Sequence, residues 1–269
     1  MLAVTSDYVE DTGDASPYLE RIARAGFTHV HWCHHWNTDF LYSPPEISQV
    51  ARWFKQYGLA LLNLHGSHGR EKYWCSPLEY QRLAGVELVK NRIDMTARLG
   101  ADVVIMHVPS SLDPLERVNA IDPVRRSMDQ ILPFAHAMGV RIAVENMESD
   151  DFDMLATLLN EYDPAELGLC YDSGHGNIDG RGLDNLEKYK NRLIAVHLHD
   201  NDGHSDQHAI PFTGSVDWPH LATILASSAY VGPINLEVII DTQRESDEDD
   251  FLRRAYLAGQ RLTAMVTAS

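Results

Sequence analysis

Residues 139–146 read Gly-Val-Arg-Ile-Ala-Val-Glu-Asn, and residues 167–175 read Leu-Gly-Leu-Cys-Tyr-Asp-Ser-Gly-His. Each holds a short apolar run of strand length that stops on a carboxylate, Glu145 in the first and Asp172 in the second. The segment between them is longer and amphipathic, so the three read as strand, crossover helix and parallel strand. The same phrase recurs on both sides. Strands are expected near Leu2–Thr5, His29–Cys33, Leu59–Leu64, Val103–Val108, Arg141–Asn146, Leu167–Tyr171, Leu193–Leu198 and Ile234–Ile239. Eight βα units in one run, with no glycine-rich phosphate loop after the first strand, favour a closed α/β barrel, (β/α)8, over an open doubly wound sheet. The 269 residues match the roughly 250 of one such barrel. No proline-rich linker or composition shift interrupts the chain, so residues 1–269 are expected to form a single domain.

Helix punctuation falls where this alternation needs it. Ser16-Pro17 and Ser43-Pro44 offer a capping hydroxyl ahead of a proline that the first helical turn tolerates. Gly26, Gly58, Gly100 and Gly139 follow periodic stretches, the place of a left-handed residue that ends a helix. The longest helix is expected over Pro77–Leu99 and the last over Asp247–Met265.

The 39 acidic residues outnumber 22 basic ones, and a formal charge of −17 repels a phosphate backbone at long range. The basic residues are dispersed and make no patch, so nucleic acid is not an expected partner. Cys33, Cys75 and Cys170 form no CxxC pair and leave one over, which argues against a disulfide framework. The N-terminus has no basic start followed by an apolar run, and no segment reaches about 18 uninterrupted apolar residues. Neither a signal peptide nor a membrane span is therefore expected, and the expected location is the cytoplasm. The acidic run Glu245–Asp250 reads as a solvated helix start.

The strand ends carry the chemistry. Strand three runs into His65-Gly66-Ser67-His68, strand four into His107, strand five into Glu145-Asn146, strand six into Asp172-Ser173-Gly174-His175. Strand seven ends His197-Leu198-His199-Asp200, and strand eight carries Glu237. After strand seven come Asp206-Gln207-His208 and then Gly214 to Trp218. In a barrel these ends converge on one mouth. Glu145, Asp172 and Glu237 gathered there would repel one another without a cation, and histidine with carboxylate suits zinc, manganese or iron. Of His197 and His199, which share strand parity, His199 lies nearer the strand end and is favoured as the ligand, with His197 a layer below. His29, His31, His34 and His35 read as structural residues of strand two, and His136 and His220 as surface residues of helices. Trp32, Trp36 and Trp74 could floor a sugar site or equally pack the core.

From strand three to strand eight the sequence resembles the xylose isomerase-like barrels, a group that includes sugar isomerases and epimerases, inosose-processing enzymes and endonuclease IV. The resemblance lies in Val144-Glu145-Asn146, Asp172-x-x-His175, His197-x-His199, Asp206-x-His208 through Gly214 and Trp218, and Glu237. In epimerase-like members it implies one metal on Glu145, Asp172, His199 and Glu237, with Glu145 and Glu237 also moving the proton. In members like endonuclease IV it implies three zinc ions on a larger set that adds His65, His107, His175, Asp206 and His208. The basic residues that grip DNA are missing from the mouth motifs, as is the arginine that sugar epimerases carry after the strand-seven motif.

The resemblance thus implies a metal-dependent isomerase or epimerase of a sugar, sugar phosphate or polyol. Its cofactor would be zinc or manganese, with magnesium, cobalt or iron as alternatives, and its partner a small sugar-like molecule, self-association being left open. The rival is a multinuclear metallohydrolase of a small phosphoester. A catalytically silent barrel that only binds sugar or metal would have no need of acids and histidines at six strand ends.

Overall fold

Eight strands make one parallel sheet: β1 (Leu2–Thr5), β2 (His29–Trp32), β3 (Ala60–His65), β4 (Val103–His107), β5 (Arg141–Glu145), β6 (Leu167–Asp172), β7 (Leu193–His197) and β8 (Ile234–Leu236). The computed structural model describes residues 1–9, 13–110, 114–148 and 152–269. Strands adjacent in sequence are adjacent in space from β1 to β7, and β8 lies on β1. The ring closes beyond β7, where the Leu198 N–H donates to the Asn235 carbonyl at 3.0 Å and the Glu237 N–H to the Leu198 carbonyl at 3.2 Å. This is the expected (β/α)8 barrel.

β8 is three residues shorter than its apolar run suggests. Its continuation bonds to loops instead of a strand: the Ile239 N–H donates to the His208 carbonyl at 3.0 Å and the Ile240 N–H to that of Tyr8 at 2.8 Å. Between and around the strands run α1 (Ser16–Ala25), α2 (Pro44–Tyr57), α3 (Glu79–Arg98), α4 (Pro114–Ala137), α5 (Asp153–Glu161), α6 (Ser173–Asp179), α7 (Gly182–Tyr189), α8 (Trp218–Ala226) and α9 (Glu248–Ala268). Gly26 and Gly58 end α1 and α2 at φ 105° and 69°, where a side chain would be strained. At α2 the Glu46 carboxylate accepts from the Ser43 N–H at 2.7 Å and its hydroxyl at 2.6 Å. Ser16 does not cap α1. It is the first helical residue, and its hydroxyl bonds that of Tyr57 at 2.8 Å. No helix among the described residues is long and apolar enough to cross a membrane.

Strand pleating sorts the side chains. Val104, Met106, Ile142, Val144, Leu169 and Tyr171 belong to the main apolar core, while Val103, Ile105, Ala143, Cys170 and Ala195 make a small separate one. Residues two further along that inner face are His107, Glu145, Asp172 and His197. Register sets them side by side, with His107 opposite Glu145 and Asp172 opposite His197. The apolar plug therefore floors a polar mouth.

Outside the ring, Gly85 of α3 lies against the chain at Trp74. A methyl group there would come within 2.5 Å of the Tyr73 carbonyl carbon and 2.6 Å of the Trp74 Cα. Gly85→Ala gains about 1 kcal/mol of helix propensity but forces backbone apart in a packed site, which costs about 1–3 kcal/mol or more. The expected outcome is a lower Tm by calorimetry, opposite to what helix propensity alone predicts.

Candidate metal centre

The deepest part of the mouth is built on one imidazole. His197 Nδ1 lies 2.9 Å from Glu145 Oε1 and 3.0 Å from Glu237 Oε2, so carboxylates from β5 and from the end of β8 meet on a single nitrogen. The Asp172 carboxylate joins them, and the four ligand atoms lie within 4.8 Å of one another. Burial would raise the Glu145 carboxyl, but His197 and His107 beside it hold it well below the usual carboxylate range. Glu237 is treated the same way, its burial outweighed by His197 and His31. His197, whose burial opposes a charge, is pushed well up by the same two acids.

Two further donor groups flank this one. His107 Nε2 lies 3.2 Å from Glu145 Oε2 and 3.1 Å from His65 Nε2, so Glu145 offers one oxygen to the deep group and the other to this pair. On the other side, His175, His199, Asp206 and His208 also bring one ligand atom each within 4.8 Å. Asp172 links this group to the deep one, its two oxygens each 3.0 Å from His199 Nε2. Gly174 leaves room for that ring, since a Cβ there would lie 2.7 Å from His199 Nε2.

Asp206 and His208 are carried on a loop clamped from below. The Asp200 carboxylate accepts from Trp218 Nε1–H at 2.8 Å and from the Asn201 and Val216 amides at 3.0 and 3.1 Å. Asp200 and Ala209 exchange backbone bonds of 2.8 and 2.9 Å. His208 itself takes φ 45°, in the left-handed region. Burial opposes a charge on His208, but its Asp206 partner, 2.9 Å away, pushes the imidazole up to about 9.

The donor set fits a divalent cation. Nδ1–H of His65, His175 and His208 donates to a backbone carbonyl, of Gly66, Asn146 and Glu237, at 2.9, 2.9 and 2.8 Å. A neutral imidazole held in this way carries its lone pair on Nε2, and in all three that atom faces a donor group. Fixing the tautomer from behind is how proteins orient metal-binding histidines. The buried Nε2 of His197 and Nδ1 of His199 have no hydrogen-bond partner. A cavity of about 280 Å³ opens on these groups, and among the described residues neither lysine nor arginine lines it.

Of the residues expected to share one ion, Glu145, Asp172 and Glu237 come together with His197, while His199 contacts Asp172 and sits in the group with His175, Asp206 and His208. All of the five outer residues reach one flanking group or the other. Trp36 lines the cavity, 4.8 Å from the His65 ring, whereas Trp32 donates to the Tyr42 hydroxyl at 2.9 Å and Trp74 is buried in the core. His136 and His220 are exposed. His31, read from sequence as structural, points at Glu237, and Asp7 and Cys33 line the cavity unanticipated. Thr5-x-Asp7 and His31-x-Cys33 share inward parity, which was the available signal.

Fold and site together define a (β/α)8 barrel with a mouth of carboxylate and imidazole donors. Residues 19–255 match the xylose isomerase-like TIM barrel family, and the chain belongs to it. The protein y4fM of Sinorhizobium fredii (strain NBRC 101917 / NGR234) is 33% identical over 278 residues, 93% of this chain and 89% of that one. A D-tagatose 3-epimerase-like protein has the same fold, with a TM-score of 0.79 at 22% identity over 99% of this chain and 97% of its own. So does the D-psicose 3-epimerase of Clostridium cellulolyticum H10, solved with D-tagatose, with a TM-score of 0.76 at 17% identity over 98% and 99%.

The Asp206–His208 pair gives the metal-free protein a pH signature. The His208 pKa rises from 6.5 to about 9 on folding, so its contribution to stability is complete below pH 6.5 and is lost as pH rises through about 9. In chelator, the Tm difference between the wild type and Asp206→Asn should shrink steadily from pH 6.5 to above 9. A constant difference would show that the pair carries no such linkage.

Proposed function

We propose that this chain is a metal-dependent isomerase or epimerase acting on a sugar or related polyol. The observation that carries the reading is the meeting of Glu145 and Glu237 on His197 beside a cavity of about 280 Å³. The two acids rise from different sides of the ring, with β6 and β7 between them, and both are held ionised at neutral pH. One of them, ionised, can take a proton from one face of a substrate carbon, and the other, after drawing a proton from solvent, can return one to the opposite face. A divalent ion held by Glu145, Asp172, Glu237 and a neighbouring imidazole, His199 in the family pattern, would polarise the adjoining carbonyl or hydroxyl oxygen. Zinc and manganese suit that donor set best, with magnesium, cobalt or iron as alternatives. His175 and His208 are placed to bond substrate hydroxyls, and Trp36 to cover a sugar face. The small cavity suits a monosaccharide-sized ligand.

A second reading, a multinuclear hydrolase of a small phosphoester, is favoured by one observation. Neighbouring donor groups are joined through Glu145 and Asp172, an arrangement able to hold more than one ion. The cavity lining weighs against it, because among the described residues no lysine or arginine lines it to grip a phosphate.

Incubation with aldoses and ketoses in D2O should place deuterium on the carbon beside the carbonyl. Glu237→Gln should cut that exchange about 10²–10⁴-fold with the fold intact by circular dichroism. Wild-type exchange in the variant would remove Glu237 from the reaction. The second reading turns on metal content: under the isomerase reading, His208→Ala raises KM while the ion content of the wild type is retained. Loss of an ion in that variant, together with wild-type cleavage of a generic phosphodiester, would make the protein a hydrolase.

A further inference from the structure

Glu237 faces two ways. Its Oε2 meets His197, while its Oε1 lies 3.5 Å from His31 Nε2 and 3.9 Å from Cys33 Sγ. The ligand atoms of His31, Cys33 and Glu237 all lie within 4.8 Å of one another. Residues 31 and 33 are two apart, so the pleat sends both into the barrel, and both are buried. His31 Nδ1–H donates to Asn63 Oδ1 at 2.6 Å, which leaves the lone pair on Nε2. That Nε2 is buried without a hydrogen-bond partner and is aimed at a carboxylate oxygen. The imidazole can hold that oxygen through a second proton or through a metal ion placed between them, and the Cys33 S–H points at the same oxygen.

A proton on Nε2 would draw the pair to about 2.8 Å, the usual charge-assisted hydrogen bond. A tetrahedral zinc ion, with bonds of about 2.0–2.3 Å, separates nitrogen from oxygen by about 3.4 Å and sulfur from oxygen by about 3.6 Å. The observed 3.5 and 3.9 Å, the second a contact in which the Cys33 S–H donates to Glu237 Oε1, leave room for such an ion.

We propose that His31, Cys33 and Glu237 form a further position for a thiophilic divalent cation, zinc or cobalt, with Glu237 bridging to the carboxylate group around His197. On binding, the Cys33 S–H bond breaks, the sulfur–metal bond forms and the proton leaves to buffer. The soft sulfur selects zinc and cobalt over magnesium, calcium and manganese. This position does not depend on the sugar reading, because it concerns an ion and not a reaction.

Cobalt(II) alone, added to the chelator-stripped full chain, provides the test. The wild type should show a near-ultraviolet sulfur-to-cobalt charge-transfer band, and Cys33→Ser should lose the band and hold one cobalt fewer per chain. Cys75→Ser is the control, since that thiol lies in the main apolar core and in none of the donor groups, and it should keep the band. Visible cobalt bands from the remaining oxygen and nitrogen donors should persist in Cys33→Ser, so an empty mouth and an absent thiolate give different spectra. A wild-type protein without the band overturns the proposal with no variant needed, as does a band that survives Cys33→Ser.

Discussion

Glu145, Asp172 and Glu237 are buried at the mouth of a barrel whose cavity lining, among the described residues, offers no lysine or arginine to match them. Ionised carboxylates in such a place repel one another and lose their hydration, a cost of several kcal/mol per charge unless a partner offsets it. The chain answers with imidazoles. Every one of these acids touches at least one histidine, and the nearest contacts are 2.9–3.2 Å. Histidine is the one side chain that can fill this role either with a proton or by giving its lone pair to a metal. The mouth can therefore stay folded in the absence of an ion and still present a donor set when one arrives.

The architecture separates what holds charge from what surrounds it. Glu145, Asp172 and His197 end paired strands, where register fixes their spacing to within a residue. His175, Asp206, His208 and Trp36 lie on the segments beyond the strands, and so does the cavity opening. A change of loop could alter what enters the cavity without disturbing the acids below. Glu237 is an intermediate case, since its own carbonyl accepts from His208 Nδ1–H at 2.8 Å and thereby ties the β8 end to the loop after β7.

Much of this was legible in the sequence because period-2 alternation and acids at strand ends are local signals. The eight strands and the four helix-ending glycines follow from them, as does the inward aim of His65, His107, Glu145 and Asp172. Which ring meets which acids was not legible. His197 and His199 share a face, yet two strand residues differ by about 6.6 Å along the strand, enough to put each ring against different partners. Parity cannot choose between them. His31 and Cys33 were hidden for another reason: their partner Glu237 follows β8, and β1 lies between that strand and β2. The β8 boundary failed similarly, because an apolar run cannot report that its last amides bond to loops.

His208 holds its backbone at φ 45°, a conformation that costs an ordinary side chain about 1–2 kcal/mol and glycine almost nothing. Its imidazole, pinned to Glu237 and Asp206, joins the backbone bonds at Ile239 and Ala209 in keeping that residue there. Stability and chemistry thus pull on the same position in opposite directions. A lineage that stopped using the site would gain from glycine or asparagine at 208 before it gained from almost any other change in the mouth. The identity of this one residue in a descendant is then a sensitive gauge of whether its ancestor's chemistry is still under selection.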